Sequence, residues 1–331
     1  MEIKAADVAK LRQMTGAGMM DCKKALVEAN GDFNRAQEII REKGKLVAAK
    51  RADRETTEGA VVAKVDGGKA IIVCLGCETD FVSKNAEFQD LAQAIAETAI
   101  QNFPADTEAL KACVLADGRT VEAAITEQTG KTGEKHVLVG YEKIDAPYIS
   151  AYIHAINGKL GAIVGFNKEV ASDIAKGVAM QVASMNPVAV NKEAVPQNVI
   201  DNELTVAVEK TKEELVKKAV DSALNKAGIN PAHVDSEAHI ESNMSKGWLT
   251  QEQADKAREI IKTVSAEKAA NLPEQMISNI ANGRLAKFFK ENTLEEQEYQ
   301  MGDGKTSVKD VIAASDKEAK VLTFKRISLN D

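Results

Sequence analysis

The sequence predicts an α+β protein, in which a small set of helices precedes two related strand–hairpin–helix units and a long helical stretch. Three observations predict it. Apolar residues stand at helical spacing at the start of the chain, broken by two glycine-containing segments. Strand-length apolar runs joined by tight turns follow, and one strand–hairpin–helix order recurs in diverged form further along. The 331 residues, 44% hydrophobic and 28% charged, suffice for two or three domains of ordinary globular balance. Aromatic residues make up 4%, so the cores must be built mainly from Val, Ile, Leu and Ala.

The first helix carries Val8, Leu11 and Met14 as its candidate inner face. Thr15-Gly16-Ala17-Gly18 interrupts it, because glycine tolerates the left-handed backbone that ends helices. A second helix, from about Met19 to Ala29, has Cys22, Ala25 and Leu26 at helical spacing. Asn30-Gly31-Asp32 breaks again, with Asp32 as the N-cap of a third helix carrying Ala36, Ile39 and Ile40. The basic stretch Lys43–Arg54 reads as a charged helix end or linker.

Strands come next. Ala60–Val65 and Ala70–Leu75 flank the turn Asp66-Gly67-Gly68, and a helix from about Asn85 presents Phe88, Leu91, Ala92, Ile95 and Ala99 before stopping near Pro104. The order returns with strands Ala151–Ile156 and Gly161–Phe166 around Asn157-Gly158, then a helix from about Ser172 with Ile174, Val178 and Val182, ending at Pro187. Leu91-Ala92…Ala96…Pro104 superposes without a gap on Ile174-Ala175…Ala179…Pro187, the mark of an internal duplication. From about Val199 the pattern is long and helical. Ile200, Leu204, Val208, Leu215 and Ala219, and then Ala254, Ala257, Ile261 and Val264, recur at spacings of three and four around the breaker Gly228-Ile229-Asn230-Pro231. An antiparallel, coiled-coil-like helical hairpin is the economical reading, with an ordinary helical domain as the alternative. A helix around Glu274–Lys290 and a closing strand Val321–Ile327 complete the chain. The expected domains are 1–52, 53–140, 141–198 with 272–331, and the inserted hairpin 199–271.

Fifty acidic against 43 basic residues give a net charge of −7, a poor footing for general nucleic-acid binding, which draws on phosphate neutralisation. No apolar run reaches the roughly 18 residues of a membrane span, and Met1-Glu2-Ile3-Lys4 lacks the build of a secretory signal. Four cysteines, Cys22, Cys74, Cys77 and Cys113, form no disulfide framework, so a cytoplasmic location is expected.

Catalytic and metal chemistry find little support. Cys74-Leu75-Gly76-Cys77 has CxxC spacing but no second Cys or His pair for zinc, and its first cysteine falls inside a strand rather than at a helix N-terminus. Gly130-Lys131-Thr132-Gly133 lacks the glycine five positions upstream that a phosphate loop requires, where Ile125 stands. His136, His154, His233 and His239 are scattered, and no nucleophile–base set assembles around them. No catalytic, metal or cofactor site is expected.

Two segments fit neither core nor catalysis. Met19 and Met20 open a helix side by side, so at most one of them can serve the small core, and exposed methionine suits a contact surface. Thr79-Asp80-Phe81-Val82 lies between a buried strand and a helix, with Phe81 off that helix's apolar stripe. Phe81 is either a core anchor or a rigid wedge with Asp80 beside it. An interaction factor is therefore the leading reading. A binding scaffold built on the first helices and a thiol oxidoreductase on Cys74 and Cys77 compete with it.

The chain resembles the elongation factor Ts family at two long motifs. Leu11-Arg12…Thr15-Gly16-Ala17-Gly18-Met19-Met20-Asp21-Cys22-Lys23-Lys24-Ala25-Leu26, continued by Glu28-Ala29-Asn30-Gly31-Asp32, is similar to the family's N-terminal signature. Cys77-Glu78-Thr79-Asp80-Phe81-Val82 is similar to its second signature, Cys-Gln-Thr-Asp-Phe-Val. Weaker likeness runs on through Gly283-Arg284…Lys287-Phe288 and Lys305-Thr306-Ser307-Val308. The resemblance implies a ubiquitin-associated-like three-helix domain, two related α+β core subdomains and an inserted helical hairpin. It also implies a non-catalytic guanine-nucleotide exchange factor that binds elongation factor Tu, GDP-bound and nucleotide-free; from the charge balance and the apolar runs, direct contact with nucleic acid or membrane is not expected. On that basis Thr79, Asp80, Phe81 and Val82 disturb the partner's Mg²⁺ and phosphate site, and Arg12, Met19 and Met20 are contacts of the N-terminal domain.

Three departures stand out. Thr132-Gly133-Glu134-Lys135 replaces a Gly-Glu-Asn segment common in the family, and Gln181 stands where a histidine is common. The hairpin region is longer than usual, and the chain stops soon after the closing strand, so the added C-terminal helix of some members is not expected.

Overall fold

The structure, a computed structural model, describes residues 3–156 and 158–329 and falls into two compact units, residues 1–190 with 294–331 and residues 191–293. In the first unit the chain begins with α1 (Ala5–Thr15), α2 (Met19–Glu28) and α3 (Phe33–Lys50). Gly16 ends α1 at φ 65, a left-handed cap whose N–H returns to the Arg12 carbonyl. Asp32 caps α3 by accepting from the backbone N–H groups of Asn34 and Arg35. Val8, Leu11, Cys22, Ala25, Leu26 and Ala36 form the small core. Met14 does not join them. It is 49% exposed, because the stripe that starts at Val8 and Leu11 continues to Thr15, whose buried hydroxyl donates to the Leu11 carbonyl.

The hairpin of β1 (Glu58–Asp66) and β2 (Lys69–Cys77) leads into α4 (Asp80–Ser83), α5 (Ala86–Asn102), α6 (Thr107–Ala112) and α7 (Val121–Thr132), and β3 (Val137–Asp145) closes an antiparallel sheet in the order β1-β2-β3. The same plan recurs in β4 (Tyr148–Ile153), β5 (Leu160–Phe166) and α8 (Ser172–Met185). Of the Asn157-Gly158 turn, Asn157 lies outside the described residues, and Gly158 takes φ 62. The chain then builds α9 (Gln197–Lys226), α10 (Glu237–Ser245), α11 (Gln251–Ala270) and α12 (Glu274–Asn292) in the second unit, and returns through α13 (Val308–Ser315) and β6 (Val321–Ser328). β6 completes the second sheet as β4-β5-β6, so the middle strand of each sheet is the second of its hairpin. The duplication extends to the helix ends. Phe103 and Asn186 take φ 47 and φ 44, cap α5 and α8 by the same left-handed turn, and each precedes a proline.

Strand alternation decides what each sheet faces. Along β2, Ile71, Val73, Leu75 and Cys77 pack with Phe88, Leu91 and Ile95 of α5, while Ala70, Ile72 and Cys74 meet Ile163 and Ile327 of the second sheet. The two sheets thus pack face to face, and α5 and α8 cover their outer sides.

The second unit holds more than the expected pair of helices over 199–271. α11 and α12 both pack on α9, and α10, between α9 and α11 in chain order, touches α11. Val234, Ile240 and Leu249, in the stretch between the long helices, close a core with Val220, Leu224, Ala254 and Ala257. The unit therefore spans 191–293, and α12, placed with 272–331 from the sequence, belongs to it. No described helix is long and apolar enough to cross a membrane.

Candidate functional site

β2 is buried along nearly its whole length, and its last residue, Cys77, is fully buried against α5. The chain turns immediately into the single helical turn α4, with Thr79 as an extended N-cap. Successive residues of a helix point about 100° apart, so only one of Phe81 and Val82 can face inwards. Val82 packs against the first core, and Phe81 is left 86% exposed. That exposure removes the core-anchor reading of Phe81. A large aromatic ring is instead held in solvent on a turn whose neighbour is pinned.

The turn is fastened from behind. The Thr79 N–H and hydroxyl both donate to the Glu134 carboxylate, at 3.1 and 2.7 Å. Glu78 accepts from the Arg51 guanidinium at 3.1 Å and from the Lys135 N–H at 2.6 Å. The Lys135 ammonium donates to the Ala52 and Arg54 carbonyls at 2.7 and 2.8 Å, and Gln89 donates to the Ser83 carbonyl at 2.6 Å. Asp80 is partly exposed, and the Lys84 ammonium, 2.8 Å away, holds its carboxyl below the usual carboxylate range. It is therefore charged at neutral pH. Glu134, Glu78, Arg51 and Lys135 are not visible as site residues in the sequence. The signals available are that Glu78 adjoins Thr79 in the second signature and that Glu134 and Lys135 follow Gly133, whose φ of 74 ends α7, in a segment that departs from the family.

His136 sits beneath this brace, buried at 7% exposure with its ring 5.6 Å from that of Phe88. Its Nδ1 is 2.9 Å from the Glu134 carbonyl, which can only accept, so Nδ1 carries the proton and Nε2 is the buried nitrogen without a partner. Burial lowers its pKa. The unfolded chain therefore takes up this proton more readily, and stability falls as pH drops below the unfolded value of about 6.5. Urea unfolding at about pH 7.5 and 5.5 should show a smaller acid loss for His136→Asn than for the natural chain. An equal loss in both would remove His136 as the cause.

Arg12, Met19 and Met20 lie around the turn between α1 and α2, all exposed. Neither methionine serves the core, since they are 44% and 64% exposed. Both this turn and the Phe81 turn meet α7 or the loop that follows it. A methyl group on Gly16 would meet the Lys131 side chain at 2.6 Å, and Glu134, just beyond α7, holds Thr79.

Other candidates resolve into structure. Cys74 and Cys77 fall on opposite faces of β2, and burial pushes both thiols up to about 12. That is the reverse of what a reactive thiol requires. Gly130 packs α7 against α3, where its added Cβ would lie 2.8 Å from the Gly44 Cα. His239 pairs with Asp235 in an exposed position, and no group of three or more metal-ligating side chains stands together among the described residues. Gln181 is fully buried, donating to the Gln297 side chain and the Glu298 carbonyl and accepting from the Gln300 N–H. It fastens α8 internally and presents nothing outwards.

The family model described as Elongation factor TS matches residues 78–331. The chain is 55% identical over 329 residues to Elongation factor Ts of Phocaeicola vulgatus and to that of Bacteroides fragilis, with 99% of both chains covered in each case. It is 41% identical over 330 residues to Elongation factor Ts of Porphyromonas gingivalis, covering 100% of this chain and 99% of that one. These relatives also cover the three-helix region that precedes the family match.

Proposed function

This chain belongs to the elongation factor Ts family of translation elongation factors, and we propose that it acts in the cytoplasm as the guanine-nucleotide exchange factor of elongation factor Tu. The observation that carries the mechanism is Phe81, a large apolar ring held in solvent on a braced turn. Thr79, Asp80, Phe81 and Val82 enter beside the partner's nucleotide. Phe81 is the wedge, charged Asp80 its polar neighbour, and Thr79 and Val82 fix the turn. The intrusion disturbs the bound Mg²⁺ and the phosphate loop, and GDP leaves. Arg12, Met19 and Met20 form the second contact, where flexible thioether side chains adapt to a partner surface.

No covalent step is needed on this chain, because exchange follows from linkage. If nucleotide-free elongation factor Tu is bound more tightly than its GDP form, GDP affinity must fall by the same factor. Each 1.4 kcal/mol of differential contact is roughly tenfold. Burying one phenylalanine yields about 1.5–3 kcal/mol, so Phe81 supplies part of a large effect and the wider interface the rest.

The test loads elongation factor Tu with a fluorescent GDP analogue and follows its release against excess GDP. Added chain should accelerate release in a saturable manner. Release at the spontaneous rate at every concentration would overturn the proposed function.

A further inference from the structure

We propose that Glu134 is a positioning residue for exchange, acting through Thr79 to hold the turn in the orientation that presents Phe81. The inference rests on the exchange reading above. It begins from the shortness of α4, whose four residues cannot be a stable helix by themselves, since the first hydrogen-bonded turn is unfavourable to nucleate. The turn must be held by the rest of the molecule. Val82 and the buried Ser83 anchor its inner side and Gln89 holds the Ser83 carbonyl, yet these contacts lie in its second half and leave the entry at Thr79 to be fixed. Thr79 does not cap the turn with its own side chain. Its hydroxyl and its N–H are both committed to Glu134, which lies 55 residues further along the chain.

Two bonds from one residue to one carboxylate fix an orientation as well as a position, because rotating Thr79 breaks one or both. Glu134 is fixed in turn. Its N–H donates to the Thr132 hydroxyl at 3.2 Å, and its carbonyl accepts from His136 at 2.9 Å. The next residue, Lys135, ties Glu78 and the end of α3 to the same loop. The chain is therefore clamped at Glu78 and Thr79, the two residues immediately before α4. Phe81 has no comparable restraint, because its ring is in solvent. Its direction is set by the backbone that Glu134 holds.

Loss of the carboxylate leaves a turn that samples several orientations, of which a fraction is competent. Apparent exchange efficiency falls to that fraction of its full value. For Glu134→Ala the expected loss is about tenfold, and for Glu134→Gln it is smaller, because the amide oxygen still accepts one of the two bonds.

The test follows GDP release from elongation factor Tu with the full chain, Glu134→Ala, Glu134→Gln, Thr79→Val and the double variant Glu134→Ala/Thr79→Val, each with its thermal unfolding. Acting through Thr79 predicts that the double variant loses no more exchange than Glu134→Ala alone, while unfolding midpoints stay close to that of the natural chain. Multiplicative losses in the double variant would overturn the proposal, as would a Glu134→Ala variant that exchanges at the natural rate. Either result leaves the exchange function intact, since the natural chain in the same assay still accelerates release. Absence of acceleration by the natural chain itself overturns the exchange reading and this proposal together.

Discussion

Phe81→Ala is expected to slow the chain-stimulated release of GDP from elongation factor Tu by roughly tenfold to a hundredfold, with no measurable change in thermal stability. The two halves of this expectation have separate causes. Phe81 is almost fully exposed, so its removal leaves no cavity, and surface substitutions of this kind change stability by no more than about 0.5 kcal/mol. In the proposed complex the ring is buried, and about 1.5–3 kcal/mol of apolar burial converts to the stated range at 1.4 kcal/mol per tenfold. Phe88, seven positions on, supplies the contrast. It is fully buried in the first core, and Phe88→Ala should cost about 3–5 kcal/mol of stability. An exchange rate unchanged in Phe81→Ala would show that the wedge is elsewhere. A loss of stability equal to that of Phe88→Ala would show that the ring is packed rather than presented.

The same residue shows how far the sequence reaches. Phe81 is legible as a misfit because the stripe of α5 through Phe88, Leu91 and Ile95 is complete without it. Local chemistry also made the helix ends legible, in Gly16, in Asp32 and in the paired stops before Pro104 and Pro187. These are signals between near neighbours in sequence, where periodicity and caps operate. The brace is of another kind. Thr79 to Glu134, Arg51 to Glu78 and Lys135 to Glu78 join residues 55, 27 and 57 positions apart. Their meeting depends on how α7 lies across the domain, and no spacing rule encodes it. Met14 was misplaced for a smaller reason, since the stripe of α1 passes through a threonine that buries its hydroxyl on its own helix. In the second unit the breaker at Gly228–Pro231 was visible. The packing of α12 on α9 was not, because an amphipathic helix does not name its partner.

Gly130→Ala tests the packing behind both proposed contact surfaces, and its sign separates two accounts. On helix propensity alone, alanine in place of glycine near the end of α7 stabilises by up to about 1 kcal/mol. The fold demands the opposite. The new Cβ would stand 2.8 Å from the Gly44 Cα, a backbone atom of α3 that cannot turn aside. The helices must separate, and overpacking of this kind costs about 1–3 kcal/mol, a large share of a stability of roughly 5–15 kcal/mol. Gly283 of α12 is the control, with nothing within 4 Å of an added Cβ, so Gly283→Ala should follow propensity and stabilise. Separation of α3 from α7 also moves Lys131 against Gly16 and Glu134 against Thr79, so GDP release should slow in Gly130→Ala as well. Urea midpoints of the two variants decide the matter. If Gly130→Ala were as stabilising as Gly283→Ala, α3 and α7 would not cross through their glycines, and the turn bearing Phe81 would need another support.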